Sequence, residues 1–181
     1  SAEEKLDRLR KEVERLSDET RKELERILKK VEDVIRETRR RAKELEEELR
    51  RLIRDIEEKL KDDERLKEAL RRISEELRKL LEDLERINEK TRRDVERLIR
   101  ELEKINEETK RRVDDIIRLV EAGVDIETVI REIERLLEED RKAVEEILRR
   151  IEKLIEDDKR AVDRIVKEIK DILDKLREET R

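Results

Sequence analysis

The sequence has no cysteine, histidine, proline, methionine or aromatic residue, and only one glycine, Gly123. Without cysteine the chain can form no disulfide and offers no thiolate nucleophile. Without histidine or tyrosine as well, Asp, Glu and Lys are the side chains that remain for acid–base chemistry, and histidine, the most frequent one, is missing. Without aromatic residues it lacks both the stacking groups of most nucleic-acid surfaces and the interfacial anchors of membrane-bound helices. These absences argue against an enzyme, a nucleic-acid-binding protein and a membrane-binding protein.

Long apolar runs are also missing. No stretch approaches the ~20 residues that span a bilayer, and no signal-peptide hydrophobic region precedes Leu6. Arginine clusters such as Arg39-Arg40-Arg41 have acidic residues within four positions, so we interpret them as solvated, ion-paired helix faces. We expect a soluble protein that requires no cofactor, nucleic acid, membrane or other partner. No cellular compartment is assigned, and the sequence is consistent with cytoplasmic recombinant expression.

Charged residues make up 60% of the chain, with 52 basic and 57 acidic side chains closely interspersed and a net charge of −5. Such a mixture favours solubility over any particular charged partner. High charge can also indicate disorder, but large aliphatic residues recur here at regular spacing. Heavy use of Glu, Lys, Arg, Leu and Ile with this periodicity is typical of long helices or coiled coils.

The apolar spacing has a period of eighteen residues. Its steps of 4, 4, 3, 4 and 3 residues complete five turns, which is the 3.6-residue period of a straight helix rather than the heptad of a supercoil. Flanking aliphatic residues such as Leu81 and Ile99 widen the stripe, as expected for a helix that contacts two neighbours. In the first helix, the middle of this apolar stripe contains Leu16, Thr20, Leu24, Ile27, Val31, Val34 and Thr38.

Two breaks interrupt the helical pattern. At 121–125, Gly123 suits the left-handed position after a helix, Val124 the accompanying hydrophobic contact, and Asp125 the cap of the next helix. At 61–64 there is neither glycine nor proline, but the apolar register ends at Leu60 and restarts at Leu66. We therefore predict a second turn there, with Asp62 or Asp63 as the N-cap.

These breaks predict an all-α fold: an elongated, nearly straight, antiparallel three-helix bundle that forms one domain over residues 1–181. Helix 1 covers about 2–61, helix 2 about 64–122 and helix 3 about 126–180, with turns at about 62–63 and 123–125. Each helix would be about 85–90 Å long. Short turns make sequential helices antiparallel.

Polar residues interrupt the apolar stripe at corresponding heights in all three helices. With turns centred near 63 and 123, paired residue numbers add to about 126 for helices 1 and 2 and to about 246 for helices 2 and 3. Two layers about 27 Å apart follow. The Asn106 layer consists of Thr20, Asn106, Thr109 and Asp140, and the Asn88 layer of Thr38, Asn88, Thr91 and Asp158.

Each layer has the chemistry of a closed hydrogen-bond network. A carboxylate accepts, whereas an amide and a hydroxyl both donate and accept, so we expect each buried Asp to be satisfied by its layer. Such networks select helix register more than they add stability. The ionisation of Asp140 and Asp158 is left open, because burial raises a carboxyl pKa and donated hydrogen bonds lower it.

The same two carboxyl groups are the candidates for catalysis or metal binding. They are about 27 Å apart, too far to act on one substrate, and each layer offers one carboxylate where dimetal bundles use four Glu plus His. We therefore expect no catalytic, cofactor-binding or metal-binding residue, and interpret both layers as structural.

The eighteen-residue repeat, the Glu/Lys/Arg surface, the Gly-Val-Asp turn and the Thr/Asn/Asp layers together resemble computationally designed helical bundles with buried hydrogen-bond networks. Spectrin-type repeats share only the three-helix topology. The resemblance covers the whole chain and implies a hyperstable, monomeric scaffold without evolved activity. The alternative is a helical interaction or assembly module, either a homo-oligomer building block or a bundle that binds a partner.

Overall fold

The computed structural model describes residues 1–180, in which three α-helices pack against one another: α1 (Ala2–Lys59), α2 (Glu64–Glu121) and α3 (Ile126–Glu179). No β-strand occurs among these residues. The antiparallel three-helix bundle is confirmed. α1 ends two residues before its expected end, and α2 and α3 each end one residue before theirs; residue 181 lies outside the described residues. None of the three helices is long and apolar enough to cross a membrane.

The contacts within the bundle group into two compact units, each built from a segment of every helix. Unit 1 contains Ser1–Lys29 and Asp94–Leu154, and unit 2 contains Lys30–Arg93 and the chain from Ile155 onward. The Asn106 layer falls in unit 1 and the Asn88 layer in unit 2. The organisation as a single domain stays a prediction.

Unit 1 has its own aliphatic core. Ion pairs join Lys5 to Glu134 at 3.5 Å and Glu12 to Arg141 at 3.9 Å. The residue numbers rise together in both pairs, so α1 and α3 run parallel here, as two antiparallel turns require. The core comprises Leu9 and Val13 from α1, Val113 and Ile117 from α2, and Val129, Ile130, Ile133, Leu136 and Leu137 from α3.

Unit 2 buries a second aliphatic cluster, in which Leu49, Leu77 and Ile169, one from each helix, have no exposed surface. Two ion pairs fix how α1 meets α2: Arg39 with Glu85 at 2.8 Å and Arg92 with Glu32 at 3.0 Å. The residue numbers of both pairs, 39 and 85 or 92 and 32, add to 124. The helices are therefore antiparallel, and the sum is close to the expected value of about 126.

The arginine run of α1 is fully ion-paired. Each of its three guanidinium groups lies against a carboxylate, two of them on other helices, and all three side chains are exposed. Exposed pairs of this kind contribute little stability individually. The run therefore forms a charged, solvated surface, with Arg39 contacting Glu85, Arg40 contacting Glu37 and Glu44, and Arg41 contacting Asp163.

The turn between α2 and α3 closes through Gly123, whose φ is +94°. The Gly123 N–H donates to the Val120 carbonyl at 3.1 Å, and the Val124 N–H donates to the Leu119 carbonyl at 3.0 Å. This pair of bonds defines a Schellman motif, which favours glycine because other residues rarely adopt positive φ. Asp125 immediately precedes α3, and its carboxylate accepts a hydrogen bond from the Thr128 hydroxyl at 3.4 Å.

Between α1 and α2 the cap is Asp63. Its carboxylate accepts the Leu66 backbone N–H at 3.1 Å, and its carbonyl accepts the Lys67 N–H at 3.0 Å. These are the two bonds of an N-cap residue, which satisfies donors that a helix leaves free at its first turn. Asp62 lies within the turn and is exposed.

Replacing Asp63 with alanine should lower the free energy of unfolding by about 1 kcal/mol, because the Leu66 N–H loses its acceptor. Denaturant unfolding followed by circular dichroism measures the loss. Asp62→Ala is the matched control, with the same change of charge one residue away and an expected effect within about 0.5 kcal/mol. Equal losses in both variants would contradict the assignment of the cap.

Candidate functional site: two polar layers in the helix core

All four residues of the Asn88 layer are buried in unit 2. Their exposed fractions are 7% for Thr38, 0% for Asn88, 9% for Thr91 and 3% for Asp158. Thr91 and Asp158 are in direct contact, with 2.6 Å between Thr91 Oγ1 and Asp158 Oδ1. Thr91 Oγ1 also lies 3.0 Å from the Ile87 carbonyl of its own helix. A carboxyl group and a hydroxyl are thus joined inside an otherwise aliphatic core.

The other two members of this layer do not join that pair. Thr38 donates its hydroxyl to the Val34 carbonyl of its own helix at 2.7 Å. Within the described chain, neither Nδ2 nor Oδ1 of Asn88 has a hydrogen-bond partner, and neither has Oδ2 of Asp158. The closed network expected from the sequence is therefore wrong for this layer, because the Thr38 hydroxyl donates to a local acceptor and the Asn88 amide bonds to no other member.

In unit 1, the Asn106 layer repeats the same central contact. Thr109 is 8% exposed, and its Oγ1 lies 2.6 Å from Asp140 Oδ1. Thr20, Asn106 and Asp140 are only partly buried. The layer thus has a buried hydroxyl and a carboxyl group that retains contact with solvent.

Sequence reasoning missed Ser17. A small cavity of about 10 Å³ is lined by Ser17, Asn106, Thr109, Asp140 and neighbouring side chains, and Thr20 is not among them. A cavity of this size admits about one water molecule. Ser17 lies three residues before Thr20, on the same face of α1.

Both central contacts have the same register between α2 and α3. Residues 109 and 140, like residues 91 and 158, add to 249, against the expected 246. The difference of three residues is close to one helical turn. Each Asp therefore lies level with the threonine of its layer. From the sequence, it was expected to lie level with the asparagine, which is three residues earlier on α2.

The pKa of each layer carboxyl is raised above its ordinary value. For Asp140 and Asp158 alike, burial raises the pKa, and the hydrogen bond to Thr109 or Thr91 lowers it by less. Burial has the larger effect because transfer from water penalises the charged form.

The next question is whether the described residues contain a group of side chains that could bind a metal ion. Residues 1–180 contain no cluster of three or more His, Cys, Asp or Glu side chains that could hold a metal ion. Each layer joins a single carboxyl group to one hydroxyl of another helix.

Compared with known proteins, the chain matches no family model, no curated protein and no solved structure.

Proposed function

We propose that this chain is a designed structural scaffold without evolved biochemical activity, in which the two polar layers set the register of the helices. One observation carries the proposal: the 2.6 Å contact between Thr and Asp recurs at the same α2–α3 register in each unit. An aliphatic core alone discriminates weakly between neighbouring registers, because Leu, Ile and Val are nearly interchangeable in it. Two repeated polar contacts supply the missing discrimination.

The energetic reason is the penalty for separating the pairs. If α2 moved by one turn relative to α3, Thr91 and Thr109 would both leave their carboxyl partners. An unpartnered buried polar group costs about 1–3 kcal/mol, so both pairs oppose the same displacement. This is the best-attested use of buried polar groups in helical assemblies.

The test compares the chain with a layer-free variant carrying Thr91→Val, Thr109→Val, Asp140→Leu and Asp158→Leu. Spin labels are attached at Glu76→Cys on α2 and Lys159→Cys on α3, both exposed positions in unit 2, and the distance between the labels is measured by double electron–electron resonance. We expect one narrow distribution in the native background. The layer-free variant should gain a second population displaced by about 5 Å, the rise of one helical turn.

A layer-free variant that keeps the native distribution while remaining helical would overturn the proposal that the layers set register. The mass of the native chain tests the scaffold role separately. Sedimentation at micromolar concentration should give the 22.3 kDa monomer. A dimer or trimer would favour the alternative of an assembly module, for which the exposed apolar side chains Leu28, Leu60, Leu119 and Val124 are the available contacts.

A further inference from the structure

The hydroxyl of Thr91 faces two acceptors but has one proton. Its Oγ1 lies 3.0 Å from the Ile87 carbonyl and 2.6 Å from Asp158 Oδ1, and both distances are those of hydrogen bonds. If Asp158 were ionised, the single Thr91 proton would have to be shared between the two contacts or would leave one of them without a hydrogen.

We propose that Asp158 is a neutral carboxylic acid in the folded chain at neutral pH and donates the proton on Oδ1 to Thr91 Oγ1. Thr91 then donates its own proton to the Ile87 carbonyl, and both short contacts become hydrogen bonds. The Asp158 carboxyl thereby becomes the first donor in a two-bond chain that ends on the backbone of α2.

The unpartnered oxygen of Asp158 supports this assignment. Its Oδ2 is buried and makes no hydrogen bond within the described chain. A buried carboxylate oxygen that carries charge requires a donor, whereas the carbonyl oxygen of a neutral acid can lack one at a smaller cost. The neutral acid therefore fits the observed surroundings and the carboxylate does not.

No nearby charge stabilises the ionised form. Burial is the larger influence on the Asp158 pKa and raises it, the Thr91 hydrogen bond opposes burial, and no charged side chain of residues 1–180 contributes to the shift. The charged side chains level with Asp158 are mostly exposed. They are Glu32 and Asp33 on α1, Arg92 on α2, and Asp157 and Lys159 on α3. Glu32 forms an ion pair with Arg92, and Asp33 forms one with Arg36.

The equivalent pair in unit 1 is different. Thr109 Oγ1 lies 2.6 Å from Asp140 Oδ1 and makes no bond to a carbonyl of its own helix. One hydroxyl proton is enough for that single contact, and Asp140 is partly exposed. Asp140 therefore accepts from Thr109 as a carboxylate, although its partial burial raises its pKa as well. The two layers share a register but differ in protonation.

The consequence is a pH-sensitive element in unit 2. A carboxyl whose pKa is higher in the folded chain than in the unfolded chain binds its proton more tightly when folded. The stability that it contributes is complete below the ordinary value of 3.8 and is lost as the pH rises through the raised pKa. Deprotonation releases the proton to solvent and leaves a charge in the buried core of unit 2, so unit 2 should loosen in alkaline solution.

The experiment is a pH titration of the unmodified chain by ¹³C NMR, which follows the side-chain carboxyl carbons of Asp158 and Asp140 after sequential assignment. At neutral pH we expect the Asp158 carbon at its protonated position and the Asp140 carbon at its carboxylate position. The Asp158 carbon should move only as the pH is raised above neutrality. An Asp158 carbon already at the carboxylate position at neutral pH would overturn the proposal.

A pair of neutral isosteres tests the consequence for stability. From neutral to alkaline pH, the melting temperature of the native chain should fall relative to that of Asp158→Asn, whereas Asp140→Asn should follow the native chain. If the melting temperatures of the two variants changed equally with pH, the proposal of a pH-sensitive element in unit 2 would be overturned. The titration requires no substitution, so it decides the protonation state even where a variant fails to fold.

Discussion

Replacing Asn88 with leucine is expected to raise the free energy of unfolding by about 1–3 kcal/mol. Asn88 is completely buried, and neither its amide nitrogen nor its amide oxygen has a partner within the described residues. In the unfolded chain both atoms bond to water, so folding removes these bonds without replacing them. Leucine has a similar volume and no polar atom to desolvate. Denaturant unfolding monitored by circular dichroism measures the gain.

Asn106→Leu is the matched control for this substitution. Asn106 is the corresponding residue of the other layer but is partly exposed, so its amide can remain hydrated. We expect a change within about 0.5 kcal/mol. A loss of stability in Asn88→Leu would mean that the buried amide has partners that stabilise the fold.

Replacing Thr91 with valine should have the opposite effect and lower the free energy of unfolding by about 1–3 kcal/mol. The two side chains have nearly the same shape, so the change removes the hydroxyl while preserving the packing. Asp158 would then be buried without its one hydrogen-bond partner, the 2.6 Å contact to Thr91 Oγ1. The loss is measured by the same unfolding experiment at neutral pH.

Two further variants separate the lost hydrogen bond from any other consequence of losing the hydroxyl. Thr109→Val should lower the free energy of unfolding by less than Thr91→Val does. Asp140 is partly exposed and can form a hydrogen bond to water in place of the one to Thr109. Adding Asp158→Leu to Thr91→Val should restore most of the stability, since removing both members of a buried pair can be nearly neutral. If the double variant were less stable than Thr91→Val alone, the loss could not be assigned to the unpartnered carboxyl.

Most of the fold could be predicted from the sequence because its period is unambiguous. Aliphatic residues that repeat every 3.6 positions require helices, and the glycine at 123 followed by Val124 and Asp125 predicts both the end of one helix and the start of the next. At the other turn, periodicity left Asp62 and Asp63 equivalent as caps. Which of the two caps α2 depends on the residue at which α1 ends and on the conformation of the turn, and periodicity gives neither.

The residues that pair within each layer were harder to predict than the helices themselves. Periodicity gives the face of each helix, but the level at which two helices meet depends on the geometry of the turn that joins them. On α1, Ser17 lines the small cavity beside Asn106, where Thr20 was expected. The sequence also does not show that the backbone competes for these hydroxyls: the Thr38 hydroxyl donates to the Val34 carbonyl of its own helix and therefore not to the other members of the layer.

The shared register of the two Thr–Asp contacts suggests how the chain can be resized. Eighteen residues complete five whole turns, so adding one repeat to each helix returns every side chain to the angular position that it already occupies. Eighteen-residue segments of the three helices are therefore interchangeable. An added set of segments can contain either a Thr–Asp pair or a purely aliphatic layer. Insertions far from a whole number of turns rotate the remainder of the helix and expose its apolar face.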